Sequence, residues 1–206
     1  METNKRGAII FAAFEELCIN GLPDVSYDSI ANRSGISRQL IRYYFPNQDE
    51  LMRALYEFTG LAYRETLIEL AANPDYTDRL AMIFDFCFDM LDEKRKPRDD
   101  QVYDAMLCLA ARSEVLRESL RSGYSLLGNV VSHEVKIKFP QLTMNEAQQI
   151  SYLFICLFYG HWKMVASLGF SEDHKFVTRR AMNRIIESYV KYPDSDGFSP
   201  ILWNLD

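Results

Sequence analysis

Apolar residues recur at helical spacing along most of the chain, and the breaks between runs fall at glycines, prolines and capping polar residues. From Lys5 to Asn20 the positions Ile9, Ala13, Phe14, Leu17 and Cys18 share one side of a predicted helix, which Asn20-Gly21 ends. Tyr27 to Arg33 predicts a short helix with Ile30 and Ala31 inward and Ser26 as its cap. Ser34-Gly35-Ile36 is the turn after it, because glycine tolerates the left-handed backbone that closes a helix. Ser37 caps a second short helix, Arg38 to Tyr44, with Leu40, Ile41 and Tyr44 inward. Pro46 stops it, and Asn47 caps a long helix from Gln48 to Leu70 whose inward line is Leu51, Leu55, Phe58, Ala62 and Leu67.

Beyond the Asn73-Pro74 break the pattern stays helical. Thr77 to Leu91 carries Leu80, Ile83, Phe84, Cys87, Phe88 and Leu91 on one side; Glu93 to Asp100, EKRKPRDD, reads as an exposed loop. Gln101 to Arg112 is another helix. Ser113 caps a longer one, Glu114 to Lys138, with Leu116, Leu120, Leu127, Val131 and Val135 inward. Asn145 to Leu168 has one stripe of Ile150, Leu153, Leu157, His161 and Met164 and a second of Tyr152, Ile155, Cys156, Tyr159 and Trp162. A helix that is apolar nearly all round must be covered on several sides. The last helix, about Asp173 to Val190, carries Phe176, Val177, Ala181, Ile185, Ile186 and Tyr189. In the tail Phe198, Ile201, Leu202 and Trp203 point to docking on the body.

Two short helices around a glycine turn form a helix-turn-helix, whose second helix enters the DNA major groove. No acidic residue lies between Asp28 and Asp49, whereas Arg33, Arg38 and Arg42 do. Arg38 and Gln39 stand in the first turn of the second helix, where arginine can pair with guanine and glutamine with adenine. Arg42 and Tyr43, one turn on, are placed for a base or a phosphate. Ser26, Ser37 and Gln48 can add phosphate contacts through hydroxyl, amide or backbone N–H groups. On charge and spacing alone, an ordinary helical hairpin with a solvated basic face fits equally.

From Asn4 to Met52 the chain resembles the DNA-binding domain of the TetR family, the tetracycline-repressor-like regulators. The resemblance lies in AIIFAAFEELCINGLPDVSYDSIANRSGIS and the YYFPNQDELM run: an Ile-Ala pair, a Gly-hydrophobic-Ser turn, and Tyr-Phe with proline before a Glu-Leu helix. Two positions depart from the family pattern, Arg42 where tyrosine is common and Gln48 where lysine is common. Both positions usually touch phosphate, so the departures bear on the operator rather than the fold. The resemblance implies an all-α protein with a helix-turn-helix DNA-binding domain over residues 1–50. A long helix would join it to a helical regulatory and dimerisation domain over 51–206. It further implies a homodimer on a palindromic operator in double-stranded DNA, paired through the helices at about 145–168 and 173–190. The body would hold a small apolar or amphipathic effector of unidentified structure. Phe84, Phe88, Tyr103, Met106, Tyr124, Phe154, Phe158 and Trp162 fall in that body; aromatic walls of this kind describe a ligand pocket and a plain core alike.

The net charge of −6 over 206 residues runs against a whole-chain basic footprint, but a local positive face suffices for phosphate. With 48% hydrophobic and 25% charged residues the balance is that of a folded globular chain. Nothing at the start reads as a cleavable signal and no apolar run reaches membrane length, which places the expected protein in the cytoplasm with no membrane partner. The four cysteines, Cys18, Cys87, Cys108 and Cys156, lack metal-ligand spacing and read as buried small hydrophobes. There is no HExxH, no Gly-rich phosphate loop and no CxxC, so neither an enzyme nor a metal or other cofactor is expected. The alternative is a helical protein-interaction adaptor with no specific DNA binding.

Overall fold

The computed structural model describes residues 2–91, 99–193 and 202–203, with the side chains of residues 2–4 and 24 left aside. Among these residues the fold is all-α, without strands: α1 Glu2–Asn20, α2 Tyr27–Ser34, α3 Arg38–Tyr44, α4 Gln48–Ala72, α5 Arg79–Cys87, α6 Asp100–Ala110, α7 Glu114–Lys138, α8 Met144–Trp162 and α9 Lys175–Lys191. A π turn over Lys163–Ser167 continues α8, and a 3-10 turn over Glu172–His174 precedes α9. The chain divides into two compact units, residues 1–63 with 98–120, and residues 64–97 with 121–206.

In the first unit the helix starts are set by local chemistry. Ser26 and Ser29 form a capping box on α2, Ser37 Oγ accepts from Leu40 N at 3.3 Å, and Asn47 Oδ1 accepts from Glu50 N at 2.9 Å. Gly35 ends α2 in the left-handed region at φ 68°, and its N–H returns to Ala31 O. α1 packs on α2 and α6, and the core gathers Ile9, Leu17, Ile30, Ile41, Phe45, Leu51, Met52, Leu55, Val102, Met106 and Leu116. The inward line of α4 differs from its sequence reading. Phe58 is 41% exposed and Ala62 is exposed, while Thr59 is buried, its hydroxyl donating to Tyr56 O at 3.0 Å. Leu51 and Leu55 are buried as the apolar pattern has them, but from there the line passes through Thr59 instead of Phe58. Phe58 sits at its rim with an edge contact to Phe14 at 6.1 Å.

In the second unit α5 starts where the Asp78 carboxylate accepts from Ala81 N at 3.1 Å, and it buries Leu80, Met82, Ile83, Phe84, Phe86 and Cys87. It stops short of Leu91 because Asp89 turns to φ 55°, and Met90 N donates back to Asp85 O at 2.8 Å. Most of the expected EKRKPRDD loop lies outside the described residues; Asp99 and Asp100 lead into α6. On α8 the buried line is Ile150, Ser151, Phe154, Ile155, His161 and Trp162, drawn from both predicted stripes, and Met164 of the first stripe is exposed. α9 buries Met182 and Ile186, whereas Phe176 and Val177 face outward. The buried-cysteine reading holds for Cys87; Cys18 is half-buried, and Cys108 and Cys156 are exposed.

Of the four tail residues expected to dock, Phe198 and Ile201 lie outside the described residues, Leu202 is half-buried and Trp203 is 8% exposed. The Trp203 indole N–H donates to Ser151 Oγ at 2.7 Å, and its ring stands 5.8 Å from that of Tyr152. Its bed is Gly128 of α7, where a Cβ would overlap the indole. Beside it the Ser132 hydroxyl lies 2.7 Å from Gly128 O and 2.9 Å from Ser151 Oγ, one proton serving two acceptors.

Candidate nucleic-acid interface

The outward side of α2 and α3 is built around two aromatic residues. Tyr27 OH donates to Phe45 O at 2.8 Å, tying the start of α2 to the end of α3. Burial raises the Tyr27 phenol above its usual value of 10, with Arg42 pulling the other way. The Arg42 guanidinium lies 5.7 Å over the Tyr27 ring, and that of Arg6 lies 5.2 Å over the Phe45 ring. Two exposed arginines are thus braced on one aromatic pair. Gln39 is exposed beside Arg38, and Tyr43 is 72% exposed with an edge contact to Tyr44 at 5.5 Å.

The remaining sequence-predicted residues divide by what already holds them. Ser26 is spent on the capping box, and Ser37 caps α3 through its oxygen. Gln48 is half-buried at the start of α4. Arg33 is exposed but already engaged: its Nε donates to Glu16 Oε2 at 2.5 Å, which joins α2 to α1. Glu16 is buried and also accepts from Asn20 Nδ2 at 2.6 Å. The Arg33 hydrogen bond holds its carboxyl below the usual 4.5, against the opposing effect of burial. One participant was missed in the sequence. Asp28, exposed in the first turn of α2, accepts from Arg38 Nη1 through both carboxylate oxygens, at 3.0 and 2.9 Å.

The aromatic set expected to line an effector pocket is brought together only in part. In the second unit Phe84, Phe88, Phe154 and Phe158 form one cluster, with centroids 4.7 Å apart for Phe84–Phe154 and 5.9 Å for the stacked Phe154–Phe158 pair. Trp162 reaches this cluster through His161, whose ring stands 5.8 Å from Phe88 and 5.0 Å from Trp162, and its indole N–H donates to Cys87 O at 2.9 Å. Tyr124 is half-buried in the same unit. Tyr103 and Met106 belong to the first unit, where Tyr103 meets Tyr56 and Tyr63 edge-to-face at 5.7 and 6.4 Å. A groove of about 550 Å³ on the second unit runs between α5, the end of α7 and α9, and shares Phe84 with the expected set. Arg179 lines it, held by Asp85 at 2.6 Å, by Asn183 at 2.6 Å and by the Phe84 ring at 5.3 Å.

No family model matches the chain. Over 74 residues it is 35% identical to an uncharacterised HTH-type transcriptional regulator, TtgW, of Pseudomonas putida; the match takes in 36% of this chain and 50% of that protein, so the chain spans about half the length of the curated relative it matches. Among solved structures it superposes on a TetR transcription regulator from Haloarcula marismortui with a TM-score of 0.76 at 16% identity, covering 90% of this chain and 98% of that one. A candidate regulator from Saccharomonospora viridis, solved with choline, gives 0.71 at 19% identity over 93% and 97% of the two chains. The multidrug binding protein EbrR, solved with ethidium, gives 0.65 at 18% identity over 88% and 98%. From the helix-turn-helix through to α9, this chain has the fold of the TetR-family transcriptional regulators.

Proposed function

We propose that the chain is a DNA-binding transcriptional regulator of the TetR family, a repressor released from its operator by a small apolar or amphipathic molecule. The observation that carries the reading is the α2–Gly35–α3 unit with Arg38, Gln39, Arg42 and Tyr43 presented to solvent on a rigid, capped scaffold. Residues 1–50 form the DNA-binding domain and 51–206 the regulatory and dimerisation domain. Arg38 and Gln39 read bases, while Arg42, Tyr43, Ser26, Ser37 and Gln48 bind phosphate or extend the readout. Arg33 serves by holding α2 on α1, and only its remaining guanidinium N–H groups are available to phosphate. A homodimer formed through α8 and α9 presents two such helices to half-sites about 34–36 Å apart. The outward Phe176 and Val177 and the exposed Tyr152 and Cys156 give that pairing its apolar surface.

The effector site is assigned to the Phe84, Phe88, Phe154, Phe158 and Trp162 cluster. Neighbours of this fold bound to choline and to ethidium support a cationic or aromatic occupant. Phe84, Phe88 and Phe154 are fully packed, so admitting a ligand requires them to part. That is the structural difference a ligand needs in order to favour a second state and, by linkage, to weaken DNA binding. The experiment is selection of bound sequences from a random duplex pool with purified protein, followed by release of the recovered duplex on titration with ethidium or choline. A palindromic motif supports the dimeric regulator. A folded, dimeric protein that recovers no motif even after unfolding and refolding refutes it in favour of the adaptor.

A further inference from the structure

Arg38 lies in the first turn of α3 and Asp28 in the first turn of α2, joined across the Gly35 turn. The guanidinium spends a single nitrogen, Nη1, on both carboxylate oxygens. Arginine and carboxylate more often meet through two parallel N–H···O bonds, each group using both of its prongs. Here the carboxylate takes one corner, and Nε and Nη2, adjacent donors on one edge of the guanidinium plane, carry no further hydrogen bond among the described residues.

The pair contributes little to stability. Its side chains are 50% and 64% exposed, and ion pairs so placed are worth a fraction of a kilocalorie in general. What it does is bias a long, rotamer-rich side chain toward one arrangement before any partner arrives. It does so at a cost, since a carboxylate on a DNA-facing surface repels phosphate whatever the sequence. Asp28 is also the last acid before Asp49. A charge that lowers affinity for all DNA equally is offset only by a gain at particular bases.

We infer that Asp28 is a positioning residue for base readout, holding Arg38 so that its Nε–Nη2 edge meets O6 and N7 of one guanine in each half-site. The inference rests on the DNA-binding function proposed above. A helix-stabilising role for Asp28 at the start of α2 accounts for its location but not for its bond to Arg38, and would leave base preference untouched.

The test measures the best selected duplex and its single-base variants against wild type, Asp28→Asn, Asp28→Glu, Arg38→Ala and the Asp28→Asn/Arg38→Ala double variant. Arg38→Ala is expected to lose discrimination at one position per half-site, by roughly ten-fold or more. Asp28→Asn lowers discrimination at that same position while tightening binding to the variant sites. In the Arg38→Ala background it changes no positional preference and only lifts affinity uniformly. Asp28→Glu keeps the charge but displaces it by a methylene, so it retains the overall weakening and still loses the preference. Asp28 is exposed, and thermal melts alongside confirm that each variant is folded. A motif that Asp28→Asn leaves intact, bound more tightly at every sequence, overturns the positioning role alone. A wild-type pool that yields no motif overturns the regulator reading and this inference with it.

Discussion

Replacing Gly128 by alanine tests how the tail is held. In an exposed helix interior the exchange stabilises by about 1 kcal/mol, because alanine loses less backbone entropy. At Gly128 the new Cβ falls inside the Trp203 indole, and no shift of a flexible side-chain end relieves it. Either α7 is displaced or Trp203 leaves its slot, and leaving is the cheaper course because it keeps the packing of the 25-residue α7 intact. The cost is therefore capped by what docking contributes. Burying an indole of about 150–250 Å² is worth at most about 4–6 kcal/mol, before the entropy of ordering the tail is subtracted. The bond to Ser151 adds about 1 kcal/mol. Overpacked cores typically lose about 1–3 kcal/mol, and that is the net destabilisation expected here. Fluorescence reports it directly: Trp162 stays buried as an internal reference, while Trp203 becomes accessible to acrylamide and its emission shifts to the red. In a Trp203→Ala background the sign reverses, and Gly128→Ala stabilises by up to about 1 kcal/mol. Unchanged quenching together with a stabilised single variant would refute the docking.

Other consequences follow from the charged and thiol groups. Because Glu16 has a folded pKa below its usual 4.5, the stability it supplies is complete above that pH and is lost as the pH falls through the lowered value. Thermal melts below pH 4.5 should thus fall less steeply for Glu16→Gln than for wild type, and parallel profiles would count against the Arg33 pairing. Arg179→Ala removes two hydrogen bonds and a ring contact from a nearly buried guanidinium, an expected loss of about 1–3 kcal/mol. Lysine should recover little of it, lacking the planar fork, and full recovery by Arg179→Lys in denaturant melts would contradict this. Burial, with Asp99 and Asp100 nearby, pushes the Cys18 thiol up to about 11, so alkylation at pH 8 followed by mass spectrometry should modify Cys108 and Cys156 long before Cys18 and Cys87. If α8 and α9 pair two copies, raising protein concentration should shield Cys156 and spare Cys108; equal labelling throughout would argue against that dimer.

What the sequence determined by itself was local. The caps at Ser26, Ser37, Asn47 and Ser113, the left-handed Gly35 and the bounds of α3 and α7 follow from hydrogen bonds within a few residues, and the structure has them where the residue types put them. Exposure of Gln39, Arg42 and Tyr43 was legible for the same reason, since a seven-residue helix with Ile41 inward leaves them no other side. Tertiary structure decided the rest. Apolar periodicity cannot rank the sides of a helix that is apolar nearly all round, so the buried line of α8 and the outward Met164, Phe176 and Val177 depended on neighbours far along the chain. α5 ends at Cys87 rather than Leu91 because Asp89 turns left-handed just beyond it, where no glycine announces the break. The pairs Glu16–Arg33, Asp28–Arg38 and Asp85–Arg179 and the seat of Trp203 on Gly128 join groups from 10 to 94 residues apart or carried on different helices. Helical spacing determines what each helix can present; only packing brings a second helix to meet it.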